Sequence, residues 1–251
     1  MKIFKSIDEW KIYRAGLKES PVGFVPTMGA LHQGHLSLVE ASLAQDVITI
    51  VSVFINPRQF DDKADFKAYP ANHAEDLEKL EETGVTAVLL PDTTQIYADD
   101  YRFKVSEAEF SRRFCGAHRP GHFDGVLTVV MRLLNLVRPD NAYFGEKDYQ
   151  QLQLIRDMTT AFFMPVNIVA CKTVREADGL AMSSRNQRLD SQQRILAAGL
   201  YATLKSSRTA AEASEALVEQ GFGVDYVEDI ANRRLAAVQL GNTRLIDNVE
   251  I

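Results

Sequence analysis

The chain has 251 residues, 46% of them hydrophobic and 25% charged, with a formal net charge of −6. That is room for one large or two modest domains of ordinary globular type. The acidic balance argues against a protein that wraps nucleic acid. The two cysteines, Cys115 and Cys171, lie far apart. They suggest neither a disulfide framework nor a cysteine metal site, and they fit a reducing, cytoplasmic setting. No signal peptide is expected, and the longest apolar run, Val47 to Ile55, is too short to span a membrane.

Ile7 to Leu17 reads as a short amphipathic helix. The apolar run Val22 to Val25 predicts a buried strand, and Thr27 to Gly34 breaks it with two glycines. From His35 the apolar positions Leu38, Val39 and Leu43 fall at helical spacing. Strand, glycine-bearing turn, helix is how an α/β protein builds a phosphate site, because the helix start offers free N–H groups and a positive dipole. His32 and His35 sit at that mouth, with His35 on the apolar stripe. Val47 to Ile55 predicts a strand buried on both faces of a parallel sheet. Pro57 stops it and leaves Asn56 and Gln59 past its carboxyl end.

Ala74 to Thr83 is helical and is capped by Gly84. Ala87 to Leu90 is a strand. Phe123 to Val137 carries one apolar stripe from Val126 to Val137 and predicts a strong helix. Asn141 to Phe144 is a strand, Gly145 to Asp148 turns into a helix from Tyr149 to Phe162, and Val166 to Ala170 is a strand. This alternation predicts a Rossmann-like, doubly wound parallel sheet with ligands at its carboxyl edge. After Val174 the pattern changes to helices over Gln192–Leu204 and Ala210–Gln220 and short strands over Val224–Val227 and Thr243–Ile246. The expected division is residues 1–173 and a smaller α+β domain of residues 174–251.

Each polar cluster has a chemical reading and a plainer one. Two imidazoles three residues apart can donate to phosphate oxygens and stabilise developing charge; a metal site is the lesser option, since no carboxylate or thiolate accompanies them. Lys147 beside a helix start is a second cationic spot, or else part of a solvated turn. Gln151 leads the stripe Ile155, Met158, Phe162 and so faces inward, where an unpaired amide is costly. With Gln59 it suits a polar substrate bearing hydroxyls, or else a structural amide network. Ser183, Ser184 and Arg185 form a small polar loop able to close over a triphosphate, though such loops are also common surface linkers. Arg119 to Phe123 reads almost as well as a turn capping the following helix.

Together the motifs Pro26-Thr-Met-Gly-Ala-Leu-His-Gln-Gly-His35, Phe54-Ile-Asn-Pro-Arg-Gln-Phe60, Arg119-Pro-Gly-His-Phe123, Phe144-Gly-Glu-Lys-Asp148 and Val174 to Asn186 resemble those of the pantothenate synthetase (pantoate–β-alanine ligase) family. The first resembles that family's HIGH signature and the last its KMSKS counterpart. Thr243-Arg-Leu-Ile-Asp-Asn248 is similar to the family's C-terminal end. The resemblance implies ATP-dependent joining of pantoate to β-alanine through a pantoyl adenylate, with pyrophosphate and AMP released. It implies Mg²⁺ used with ATP and a homodimer; from the acidic charge and the short apolar runs, no nucleic-acid or membrane partner is expected. It places Met28, Gly29, Ala30, Leu31, His32, Gln33, Gly34 and His35, then Gly145, Glu146, Lys147 and Asp148, then Val174, Met182, Ser183, Ser184 and Arg185 around ATP. His32, His35 (as acid), Lys147, Ser183, Ser184 and Arg185 would act in catalysis, while Gln59 and Gln151 would hold pantoate. No protein ligand for the metal is assigned. Ala71 stands where the family carries arginine, and a stretch between Asp225 and Ala236 is expected to be missing from the second domain. The same signature also fits a nucleotidyltransferase releasing an adenylylated product, and the shortened second domain alone supports a nucleotide-binding module without turnover. An aminoacyl-tRNA synthetase is disfavoured by the acidic charge.

Overall fold

The computed structural model describes residues 1–17, 20–61 and 63–251. Strands β1 (Lys2–Phe4), β2 (Val22–Thr27), β3 (Ile48–Val53), β4 (Ala87–Leu89), β5 (Asn141–Gly145) and β6 (Asn167–Cys171) form one sheet in the order β1-β4-β3-β2-β5-β6. Every pairing in it is parallel. From β2 the chain winds outward through β3 to β4, then returns to lay β5 and β6 on the other side. The direction reverses between neighbours β2 and β5, which opens a crevice past their carboxyl ends.

Alternation along the strands supplies both faces of the sheet. Phe24, Ile50 and Leu89 pack with Val126, Val130 and Leu134 of the helix His122–Val137. Val25, Val51 and Val88 point the other way, onto Leu38 and Leu80. Helix His122–Val137 crosses the turn Pro57–Gln59 backbone to backbone at Gly125, where an added Cβ would overlap the Arg58 carbonyl. Asn56 Nδ2 donates to the Gly125 carbonyl at 3.1 Å and completes that junction.

The remaining chain forms helices Ser191–Ala197, Gly199–Ser206 and Ala210–Glu219 against an antiparallel sheet of β7 (Gly223–Ile230), β8 (Arg233–Leu240) and β9 (Thr243–Glu250). Strands β1 and β8 escape the sequence reading, β7 and β9 run longer than expected, and Ala198 splits the helix expected over 192–204. Strand β8 is hidden by its opening pair of arginines. Arg234 is 1% exposed, yet its donors are satisfied: Asp229 accepts at 2.8 and 3.1 Å, and the carbonyls of Leu204 and Ser207 accept at 3.2 and 2.6 Å. A buried charge is tolerable only when so surrounded. Where a stretch was expected to be missing, the chain turns tightly from β7 to β8 through Ala231, at φ 50°. Tyr226, Leu235 and Ala237 of the small sheet belong to the core of the large one, so apolar packing runs across residue 173. Among the described residues no helix is long and apolar enough to cross a membrane.

Candidate active site

The crevice beyond β2 and β5 is a cleft of about 1020 Å³, at the upper end of the range for small-molecule sites and roomy enough for more than one ligand. Its first wall is the turn after β2. Gly29 and Ala30 both adopt left-handed backbone, at φ 80° and 51°. For alanine this costs free energy that the surroundings must offset. They do so through Asp76, 2% exposed, whose carboxylate accepts the Ala30 and Leu31 N–H groups at 3.0 and 2.7 Å. Lys79, one turn along the same helix, donates to the Leu31 carbonyl at 2.8 Å.

His32 then caps the helix Gln33–Gln45: its Nδ1 accepts the Gly34 N–H at 3.1 Å, and His35 Nδ1 accepts the His32 N–H at 3.4 Å. A backbone N–H can only donate, so both ring protons lie on Nε2. The rings stack with centroids 4.0 Å apart. Desolvation, with Lys147 adding repulsion, lowers the His32 pKa to about 4. Desolvation, then repulsion from His32 and Lys147, lowers that of His35 to about 3. Both are neutral Nε2–H donors at pH 7.

Stability follows from this. His122 is likewise lowered to about 3, first by desolvation and then by Arg119. The unfolded state therefore protonates first as pH falls below about 6.5, so stability is whole above that value and is lost toward the folded pKa values. We predict a falling thermal midpoint between about pH 6.5 and 5, with His35 and His122 each contributing at most about 2 kcal/mol. Calorimetric melts of the wild type and His122→Asn across that range test it; equal slopes would remove His122 from the account.

The second wall is Gln59. Its Oε1 accepts from Asn56 at 2.9 Å and its Nε2 reaches Met28 Sδ at 2.9 Å. Its carbonyl accepts from His122 Nδ1 at 2.7 Å and from Arg119 at 3.2 Å. The segment Arg119–Phe123, weak in sequence, is thus a pin for Gln59. Gln151 lines the cleft with no hydrogen-bond partner among the described residues. The structural amide is its neighbour Gln150, 4% exposed and bound to the backbone at Cys115, Phe110 and Arg113.

The third wall is the turn after β5. Lys147 Nζ meets only Asp148, at 3.8 Å, among the described residues, and its side chain is 19% exposed. The fourth is the segment from Val174 to Arg185. Ser183 accepts the Arg185 N–H at 3.2 Å, and Ser184 Oγ lies 3.4 Å from the Tyr69 hydroxyl. Arg185 is not a free cation: with Arg188 it grips Asp65, at 2.9 and 2.6 Å. Burial alone would raise the Asp65 carboxyl, but hydrogen bonds and charge from the two arginines outweigh it and hold it below the ordinary value. This grip fastens the strip before Tyr69, while Ala71 is exposed.

The cleft thus gathers Met28, His32, Gly34, His35, Gln59, Gly145, Lys147, Asp148, Gln151, Val174, Met182, Ser183, Ser184 and Arg185. Gly29, Ala30, Leu31, Gln33 and Glu146 are not on its walls. Gly29 N–H turns back to Thr27 Oγ1 at 3.3 Å, Ala30 and Leu31 are tied to Asp76, and Gln33 is exposed near Glu40. Glu146 faces Arg233 at 2.9 Å. Asp76 and Asp65 escape the sequence reading. The one available signal was Asp76 lying four residues before buried Leu80, a carboxylate on a buried helical face.

A parallel sheet opened at its switch point, with imidazoles, an ammonium and amides along one cleft, defines an enzyme with an α/β nucleotidyltransferase-like fold. The profile described as pantoate-beta-alanine ligase matches residues 2–250. Pantothenate synthetase of Bdellovibrio bacteriovorus is 50% identical over 250 residues, covering 100% of this chain and 99% of that protein. The Coxiella burnetii enzyme of that name is 48% identical, over 99% and 96%. A crystal structure of pantoate-beta-alanine ligase from Francisella tularensis, complexed with beta-gamma ATP and beta-alanine, superposes with a TM-score of 0.95 at 37% identity, over 100% and 97% of the two chains. Pantothenate synthetase from Thermus thermophilus gives 0.91 at 39% identity, over 100% and 99%. The chain belongs to the pantoate–β-alanine ligase family and is a ligase. Its compact C-terminal part is no private deletion, since the Bdellovibrio relative matches end to end.

Proposed function

We propose that the chain joins pantoate to β-alanine in two steps in this cleft, with ATP as the activating substrate. In the first, a pantoate carboxylate oxygen bonds to the α-phosphorus, the bond from that phosphorus to the bridging oxygen breaks, and pyrophosphate leaves with the electron pair. In the second, the β-alanine amine bonds to the acyl carbon of pantoyl adenylate and the C–O bond to AMP breaks. AMP departs with that pair, and the amine's spare proton passes to water. The observation that carries this reading is the meeting of phosphate-type donors (His32, His35, Lys147) with two amides, Gln59 pinned and Gln151 without a partner among the described residues, in one cleft. The Francisella relative, with its nucleotide and β-alanine, supports it.

The first step brings anion to anion, so cationic and N–H donors must offset the repulsion. Lys147 supplies full charge, the two imidazoles supply Nε2–H donors, and Ser183, Ser184 and Arg185 close from the far side, Arg185 exchanging Asp65 for phosphate. Met28, Gly34, Gly145, Asp148, Val174 and Met182 shape the nucleotide's walls. Gly29, Ala30, Leu31, Gln33 and Glu146 serve by supporting those turns. No trio of His, Cys, Asp or Glu able to hold a metal exists among the described residues, so the donor set suits a Mg²⁺ carried by phosphates with Asp148 alongside. Such an ion would neutralise phosphate charge. Residues 1–173 hold ATP and pantoate in this reading, and 174–251 brace and cover them. We read the assembly as a cytoplasmic homodimer, which light scattering checks.

Gln151→Ala should raise the KM for pantoate about tenfold, the cost of one hydrogen bond to a polar substrate, while the KM for ATP stays within about twofold. Steady-state titration of each substrate checks this, and the reverse pattern would reassign Gln151. The reading as a whole is tested by mixing ATP and pantoate: pyrophosphate should appear, and AMP and pantothenate should follow when β-alanine is added. A stable adenylylated product would instead mark a nucleotidyltransferase, and tight ATP binding without turnover a binding module.

A further inference from the structure

Strand β9 carries the motif Thr243 to Asn248, to which the reaction above gives no part. Asn248 is 3% exposed and fully engaged. Its Nδ2 donates to the carbonyls of Glu146 and Lys147 at 2.9 and 3.0 Å, and its Oδ1 accepts from Arg233 at 2.7 Å. Arg233 in turn holds the Glu146 carboxylate at 2.9 Å. Asn248 thus supplies a donor from the small sheet to two carbonyls of the turn Glu146–Asp148. The Lys147 side chain is 19% exposed, and among the described residues its ammonium pairs only with Asp148, at 3.8 Å. Where its ammonium sits is therefore decided by how its backbone is held.

Asp247, the preceding residue, is 2% exposed and takes a two-pronged grip from Arg175 at 2.6 and 2.9 Å. Arg175 also donates to the Asn248 carbonyl at 3.2 Å and stacks on Tyr201 at 3.8 Å. It pairs across the loop with Ala181, immediately before Met182 to Arg185. Two adjacent residues of one strand therefore hold the roots of two cleft walls.

We propose that Asp247 and Asn248 form a bracket fixing the lysine turn and the 174–186 segment at the separation ATP requires, with Asn248 the positioning residue for Lys147. This rests on Lys147 facing the nucleotide's phosphates, as in the reading above. An amide and a carboxylate embedded in a strand cannot shift without dragging β9, so the spacing is rigid where the side chains at its rim are not. Small displacements at such a distance matter, since misplacement by about 1 Å can cost about 100-fold in rate.

The test is a cycle of wild type, Asn248→Ala, Lys147→Ala and the double variant, read both as ATP dissociation constant by calorimetry and as pantoate-dependent pyrophosphate release. Alone, Asn248→Ala should lower kcat/KM for ATP by roughly 10–100-fold while leaving the KM for pantoate within about twofold. In the Lys147→Ala background the same change should alter either readout by less than about twofold. Equal losses in both backgrounds, or no loss from Asn248→Ala, would overturn the bracket. Should Asn248→Ala fail to fold, Asn248→Ser, which keeps one hydroxyl donor, takes its place in the cycle. If wild type binds ATP but releases no pyrophosphate, the ligation reading falls while the binding cycle still decides the bracket. If it binds no ATP, both fall.

Discussion

Replacing Lys147 with alanine is expected to slow pantoate-dependent pyrophosphate release by about 10²–10³-fold, the range for removing one donor aimed at developing charge. The ammonium is the natural target because it is only loosely paired: Asp148 lies 3.8 Å away, whereas Arg185 is committed to Asp65 at 2.9 Å and Arg119 to Asp61 at 2.7 Å. The neutral imidazoles beside it cannot replace a full charge. Its loss leaves no buried partner stranded, so the melting temperature should hold. It should also relieve His32 and His35 of a repulsion that lowers both, raising their pKa values in NMR titrations. An unchanged rate would remove Lys147 from the chemistry.

Gly125→Ala is the second large effect expected, and it arises far from any charge. The added methyl would meet the carbonyl of Arg58 and the backbone nitrogen of Gln59, not the end of a flexible side chain. Backbone must therefore move, and the segment that gives way is the turn Pro57–Gln59, since the helix is buried along its length. Gln59 would leave its place beside Met28 and break its carbonyl bonds to His122 and Arg119. Overpacking of this kind costs about 1–3 kcal/mol of stability, and displacing the amide by about 1 Å should cut kcat/KM for pantoate about 100-fold. The dissociation constant for ATP should stay within about twofold. Binding and kinetic titrations of the variant separate the two ligands. An equal loss for both would mean that the helix had moved instead.

What could be read from the sequence was whatever depends on near neighbours. Strand β2 announces itself as an apolar run and β3 as a β-branched one, and the glycine turn with His32 and His35 follows the first at once, so the hub of the candidate site is legible. The rest is decided by partners distant in the chain. Gln151 and Gln150 are adjacent amides, and only the backbone of residues 110–115, packed against that helix, makes Gln150 the structural one. Arg185 looks like a free cation until Asp65, 120 residues earlier, is placed on it. Strand β8 looks charged until Arg234 finds Asp229 and two carbonyls. His35 has an ordinary imidazole in sequence, and its neutrality comes from desolvation, then from His32 and Lys147. Asp247 and Asn248 were recognisable as a motif, but their reach to Arg175 and to the Lys147 turn exists only in three dimensions.

The central claim is that the pantoate carboxylate attacks the α-phosphorus of ATP, and an oxygen label tests it directly. With pantoate carrying ¹⁸O in its carboxylate, each turnover with ATP and β-alanine should leave one ¹⁸O atom in the phosphate of AMP, read by mass spectrometry. Label in inorganic phosphate alongside ADP, or no label in any phosphate product, would contradict it.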